Sequence, residues 1–283
     1  MGMSINTNAG AEFASIAAQR AAAMMDEAML RLSTGKRINS AKDDAAGMAV
    51  ATRLAKEIAG LGQALRNAND AQGLIDTGEA ALKEVHTLLL RMREIAVSAS
   101  SDTNTDADRA ALDTEVTALE TEISRIGDQT SWGGKNILDG THDKDAPIRF
   151  HLGPTATNFI DVTLGVVSIA ARGSDLQGSL SLTGSVSTRA NAVSYIAGID
   201  AAISIISARR GNFGAVSNRL TSAITNLETM KSSMVTAKGQ VEDANYAEET
   251  AKLARAQILM QAATAMLAQA NASKNATLKL VTG

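Results

Sequence analysis

Both ends of this chain read as Ala-rich amphipathic helices, over residues 4–32 and 246–271, with charges spaced thinly along them. Neither end has a folded neighbour in sequence to cover its apolar stripe. Each therefore needs a helical partner, and the simplest are the other end of the same chain and the ends of other copies. The second end carries a strict seven-residue repeat. Leu253, Met260 and Leu267 form one row and Ala256, Ala263 and Ala270 the other, an a/d seam with Leu or Met facing Ala. The first end places its stripe at Phe13, Ala17, Ala21, Met24, Ala28 and Leu32, with Ile16 beside it. Phe13, Ile16, Ala17, Met24, Leu32 and the six residues of the two rows are the candidate assembly interface. This layout suits a subunit that polymerises through its termini.

Between the ends, 3/4 spacing marks three more helices. A polar break at Ser33-Thr-Gly-Lys-Arg37 ends the first helix, and Ser40 with Asp43 reads as a capping box opening the second. That helix runs from about 41 to 99 and would span roughly 85 Å if unbroken. Gly60, Gly62, Gly73 and Gly78 weaken it and predict bends. The third covers about 105–127 and the fourth about 190–236. In between the period changes to two. Ile148, Phe150 and Leu152 alternate with Arg149 and His151, and Ile160, Val162 and Leu164 with Asp161 and Thr163, which predicts a β-hairpin over about 148–164. Residues 165–190 are rich in Ser, Gly and Thr and read as an irregular excursion, with a short strand near Leu180 and Leu182. The expected fold is mainly α: an elongated antiparallel helical rod, or coiled coil, with one small β-hairpin excursion and the two termini together at one end.

Composition narrows the function. Aromatics are only 2% of the chain, so Ala, Leu, Ile and Met must fill the core, which suits closely approaching helices. The net charge of −3 shows no basic stripe, so nucleic acid is not an expected partner. No run of about 18 apolar residues appears, so no membrane span is expected. The polar opening, Met1 to Asn8, predicts no cleaved secretory signal. Cysteine is absent, which excludes disulfides and thiolate metal sites. Read alone, these features suggest the cytoplasm.

No catalytic constellation emerges, and no cofactor or metal is expected. His86, His142 and His151 lack any paired ligand spacing. Asp43 and Asp44 are adjacent, do not face each other on a helix, and read as complements to a helix dipole. Gly60-Leu-Gly62 has no preceding strand and is no dinucleotide loop. The methionines fall mostly on apolar stripes, where packing explains them.

The stretch Leu32-Ser-Thr-Gly-Lys-Arg-Ile-Asn-Ser-Ala-Lys-Asp-Asp-Ala-Ala-Gly-Met48 resembles the signature of bacterial flagellins. So do Ser4-Ile-Asn-Thr-Asn8, Arg91-Met-Arg-Glu-Ile-Ala-Val97, Gln129-Thr-Ser-Trp-Gly-Gly-Lys-Asn-Ile-Leu-Asp-Gly140, Arg210 to Leu220, Val241-Glu-Asp-Ala-Asn-Tyr-Ala-Glu248, Arg255-Ala-Gln-Ile-Leu259 and Leu267-Ala-Gln-Ala-Asn271. The resemblance covers about 1–140 and 190–272. Met1-Gly2 ahead of Met3, and a tail from Ser273 to Gly283 without proline, depart from it.

The resemblance implies an extracellular flagellar filament subunit for swimming motility, exported without a cleaved signal, and so overturns the cytoplasmic reading. Residues 1–40 and 240–283 would form the inner terminal domain, 41–165 and 190–239 the rod domain, and 165–190 a reduced outer segment. Implied partners are further copies of the chain, the export apparatus, an export chaperone, and the filament cap and junction proteins. The mammalian innate-immune flagellin receptor is a further one, through Arg91, Ile95 and Glu115, where Ile95 replaces the usual Leu. A hook–filament junction protein of the same family is the alternative. A chemoreceptor-type helical hairpin would need a membrane span, and an inserted enzyme would need far more than residues 165–190.

Overall fold

The computed structural model describes residues 7–139, 147–153, 158–164, 167, 182 and 184–282, with side chains in the last helix as far as Ala276. Among these residues it holds five long helices: α1 (Ala9–Thr34), α2 (Ala45–Ala99), α3 (Asp106–Gln129), α4 (Arg189–Glu242) and α5 (Tyr246–Thr282). The described residues also form four short strands: β1 (Ser131–Trp132), β2 (Lys135–Asn136), β3 (Ile148–His151) and β4 (Phe159–Val162). The protein is mainly α with two antiparallel hairpins. Two compact units share these elements, a terminal unit of Met1–Ile58 with Ser233–Gly283 and a central unit of Ala59–Ser232.

In the terminal unit, α1 and α5 pair antiparallel. Asn8 caps α1 by accepting from the Ala11 amide, and its Nδ2 donates to the Ala270 carbonyl at 3.2 Å. At the other end of α1, Gly35 takes φ 70°, which suits a residue without Cβ, and its amide closes on the Arg31 carbonyl. There the chain is laced to the end of α4 and the turn into α5: the Ala244 amide donates to Gly35 O, the Arg37 amide to Glu242 O, and Lys36 pairs with Glu242. The seam buries small residues from both sides, Ala14, Ala21 and Ala28 against Ala256 and Ala263.

The start of α2 differs from the expected capping box. Asp43 accepts from the amides of Asn39 and Ser40, closing a separate turn. The helix begins at Ala45, with the Asp44 carboxylate accepting from the Gly47 amide at 2.8 Å. Two acids in a row serve two successive turns. Neighbouring amides hold the Asp43 carboxyl below the usual carboxylate range, those of Ser40 and Asn39 foremost.

The central unit is built on heptads. Leu61, Ala68, Ile75, Leu82, Leu89 and Ala96 lie seven apart on α2 and are all buried. Ala192, Ile199, Ile206, Phe213, Leu220 and Leu227 do the same on α4, and Val116 and Ile123 on α3. A sustained seven-residue period supercoils helices left-handed. Cross-links from Gln72 to Ser217, Glu79 to Arg210 and Arg93 to Asp200 run α2 and α4 antiparallel. The α2 glycines do not break the helix. The missing Cβ of Gly78 makes room for the Phe213 ring, and that of Gly73 for Trp132. α4 is also long and apolar enough, by length and composition, to cross a membrane, contrary to the expectation of no such segment. Its apolar row is what packs into the core of the central unit.

Thr105 and Asp108 form a reciprocal capping box at the start of α3. Behind it the Arg109 guanidinium donates to the carbonyls of Ala99, Ser101 and Asn104 at 2.7–2.9 Å, fastening the end of α2 to α3. Arg109 is buried, so Arg109→Ala strands these acceptors. We expect it to destabilise the central unit by about 2–3 kcal/mol, read from the urea midpoint.

β3 and β4 form the expected hairpin, pairing Ile148 with Val162 and His151 with Phe159. Arg149 and Asp161 pair across it, and the Arg149 guanidinium lies 4.0 Å from the centre of the Phe159 ring. The first hairpin was not anticipated. Gly133 and Gly134, both at positive φ, turn β1 into β2, and a Gly-Gly pair is the signal that announces such a turn. The excursion expected at 165–190 lies mostly outside the described residues, as do Leu180, His142 and the opening Ser4 to Asn6. Leu182 is buried but stands in no strand.

Candidate assembly interface

The expected interface residues divide into two sets. Leu32, Leu253, Ala256, Met260, Ala263, Leu267 and Ala270 are buried or half-buried in the terminal unit, the alanines along the α1–α5 seam. Phe13, Ile16, Ala17 and Met24 are exposed, Phe13 to 74%. The inward rows of α1 are Ala14, Ala21 and Ala28, with Ala11, Ala18, Met25 and Leu32 half-buried. Of the expected stripe, Phe13, Ala17 and Met24 therefore lie outside the α1–α5 seam, while Ala21, Ala28 and Leu32 lie within it. Alanine fills so many α1 positions that its sequence does not single out one apolar face.

The outward residues line an open apolar groove of about 740 Å³. Phe13, Ile16 and Met24 border it from α1, and Leu259, Ala262 and Met266 from α5. Among the described residues that line it, Arg20 is the one that carries a charge. Leu259 and Met266 were absent from the sequence-derived set because they lie off the heptad rows. Ile258, also exposed, extends the apolar surface of α5.

Among the described residues of the terminal unit, one charge is buried. Glu249 belongs to the row of Ala256 and Ala263 and is 4% exposed. Its Oε1 accepts from Lys252 at 2.9 Å and from Arg31 at 3.3 Å, and Arg31 also pairs with Glu27. Burial pushes this carboxyl up, but the hydrogen bonds and charges of Lys252 and then Arg31 outweigh it. The net result lies below the ordinary carboxylate range.

In the central unit, Arg91 donates from Nε and Nη2 to Glu115 Oε1 at 3.1 and 2.8 Å, and from Nη1 to Glu94. Arg91 and Glu115 thus form one exposed patch. Glu115, followed by Glu94, raises the Arg91 guanidinium further above its usual range. Ile95 is buried in the core and offers no surface beside them. Among the described residues, no group of His, Asp or Glu is arranged to hold a metal ion.

Heptad-packed helices, short hairpins and an unpartnered apolar groove define a structural coiled-coil protein. Residues 5–143 match the bacterial flagellin N-terminal helical region, and residues 196–281 match the C-terminal helical region. The chain is 39% identical over 255 residues to a flagellin of Halalkalibacterium halodurans, covering 90% of this chain and 91% of that one. It is 30% identical to flagellin C of Vibrio cholerae serotype O1, covering 99% and 100%. That alignment runs over 376 positions, more than this chain's 283, so the relative carries sequence this chain lacks. A crystal structure of Bacillus cereus flagellin aligns at 29% identity and a TM-score of 0.48, over 57% of this chain and 88% of that one. The chain belongs to the bacterial flagellin family.

Proposed function

We propose that this flagellin joins its neighbours in the flagellar filament through the groove of the terminal unit. The protein is a structural subunit that self-polymerises into the extracellular filament of the bacterial flagellum. Both matching family descriptions are those of flagellin, which favours the filament subunit over the hook–filament junction protein. The observation that carries the groove reading is the exposure of Phe13, Ile16, Met24, Leu259 and Met266 together on paired helices. Soluble surfaces seldom leave such a patch without a partner. Burying each of these side chains would contribute about 1.5–3 kcal/mol. Isolated Ala-rich helices are marginal in water, so each terminal helix depends on its partner, and stacking of subunits adds to that support. Contacts that do not close on themselves then generate a helical polymer.

The terminal unit corresponds to the inner domain lining the filament channel, the central unit to the rod, and 165–190 to a reduced outer segment. The chain acts without cofactor or enzymatic step. It leaves the cell unfolded through the flagellar export apparatus with an export chaperone, and meets cap and junction proteins at the filament ends. Rearrangement at the β3–β4 hairpin would supply alternative subunit spacings and so curvature.

Phe13→Asp tests the groove. Phe13 is solvent-exposed in the subunit, so the substitution should leave unfolding of the central unit unchanged. It should also raise the critical concentration for seeded polymerisation at least tenfold, about 1.4 kcal/mol per subunit added. Leu253→Lys, inside the terminal unit, should abolish polymerisation outright. Normal filaments from both variants would sink the reading. A second surface, Arg91 with Glu115, suits the innate-immune flagellin receptor, with Ile95 acting only as packing behind it. Arg91→Ala should lower the response of receptor-bearing reporter cells to purified monomer at least tenfold. An undiminished response would remove that patch from consideration.

A further inference from the structure

We propose that Met24 and Met266 form an oxidation-sensitive gate on assembly, so that conversion to methionine sulfoxide blocks the groove. The inference rests on the groove reading above. The chain has no cysteine, so its 11 methionine thioethers are its only oxidisable sulfurs. Met92 is fully buried in the central core, while Met25, Met48, Met234 and Met260 are half-buried. Among the described residues four stand open: Met266 at 63%, Met24 and Met29 at 44% each, and Met230 at 38%. Two of these four, Met24 on α1 and Met266 on α5, line the same groove from opposite helices. Met29 and Met230 are no part of it.

The chemistry is simple and balanced. Each thioether sulfur takes one oxygen atom from hydrogen peroxide, the peroxide leaves as water, and the sulfur loses two electrons. The product is a polar, chiral sulfoxide in place of a flexible apolar tip. On a solvated surface the change is harmless. In a groove to be covered by another subunit, the new S–O dipole must be buried with a hydrogen-bond partner or lose its hydration. The groove offers it little, because its lining is apolar apart from Arg20. A subunit is vulnerable until it is incorporated, after which its neighbour shields both sulfurs. A methionine sulfoxide reductase with a thiol reductant reverses the block.

Met29 supplies a matched control, being as exposed as Met24 and on the same helix. Purified chain would be treated with hydrogen peroxide, sulfoxide at each methionine quantified by peptide mass spectrometry, and seeded polymerisation measured. The critical concentration should rise at least tenfold for the unsubstituted chain and for M29L/M230L. It should rise less than twofold for M24L/M266L, and reductase treatment should restore assembly. Leucine conserves volume, and the single variants M24L and M266L, each expected to be partly protected, report if the double variant assembles poorly before treatment. Equal inhibition of M24L/M266L, or unchanged assembly of a chain oxidised at both sites, overturns the proposal. Peroxide treatment of finished filaments separates the two readings. If Met24 and Met266 oxidise there as fast as in free subunits, the groove is not covered and the assembly reading fails as well.

Discussion

Gly127→Ala is expected to destabilise the central unit by about 3 kcal/mol or more, the upper end of what overpacking costs. Gly127 is buried on α3, and a Cβ built there falls 1.7 Å from the Val167 carbonyl oxygen. The obstacle is backbone, which cannot rotate aside as a side chain does. Val167 is also held in place, because its amide donates to the Leu138 carbonyl at 2.8 Å. Leu138 and Val167 both belong to the buried core. The one tryptophan of the chain, Trp132, sits in this unit and reports its unfolding in urea by fluorescence. Gly73→Ala is the contrast. There the added methyl would meet the edge of the Trp132 ring at 2.7 Å, a side chain with room to tilt, so the loss should stay below about 1 kcal/mol. Equal losses at the two positions would mean that the segment at Val167 yields as readily as a side chain.

Glu249→Gln is expected to loosen the terminal unit at neutral pH and to remove part of its acid sensitivity. The Glu249 carboxylate balances Arg31 and Lys252 within a seam otherwise lined by alanine. Its pKa in the folded chain lies below the ordinary value of 4.5. A depressed carboxyl stabilises the fold above its unfolded pKa, and that contribution is lost as pH falls through the folded value. Glutamine fits the same space but cannot offset either cation. Because Arg31 and Lys252 keep some contact with water, the loss at pH 7 should be about 1–2 kcal/mol, less than for a fully buried pair. Glu242, lowered by Lys36 and then Lys238, contributes acid sensitivity of the same sign and is untouched by the change. The difference between the parent chain and Glu249→Gln, followed by circular dichroism of assembled protein from pH 7 to 3, isolates Glu249. A constant difference across that range would show that the carboxyl does not titrate with unfolding.

Much of this was legible in the residues. The five helices follow from apolar spacing, and the β3–β4 hairpin from the alternation at 148–152 and 160–164. What failed, failed for local reasons. Ser40 and Asp43 have the spacing of a capping box, yet Asp44 is one residue nearer and takes the cap. On α1 the expected stripe mixed two faces: its Ala21 and Ala28 lie in the seam beside Ala14, where close helix packing selects the smallest residues, whereas Phe13 and Met24 lie outside it. The exposed groove therefore surfaced only once α5 was in place against α1. Ile95 could not be placed from its neighbours, because Arg91 and Glu94 are outward on the same turns. The Gly133-Gly134 pair does signal its turn, but within a motif, Gln129 to Gly140, whose strands are only two residues each.

The heptad rows of the central unit have a consequence for how such a chain can change in length. On α2 and α4 the longest buried rows recur at seven, and the two helices run antiparallel. Adding or removing seven residues in one, matched by seven in the other, returns each side chain to the face it left. Any other number turns part of the apolar row toward water, apart from short insertions of three or four that the supercoil can absorb by changing its winding. Growth and shrinkage of this unit are thereby quantised in steps of about 10 Å along the helix axis.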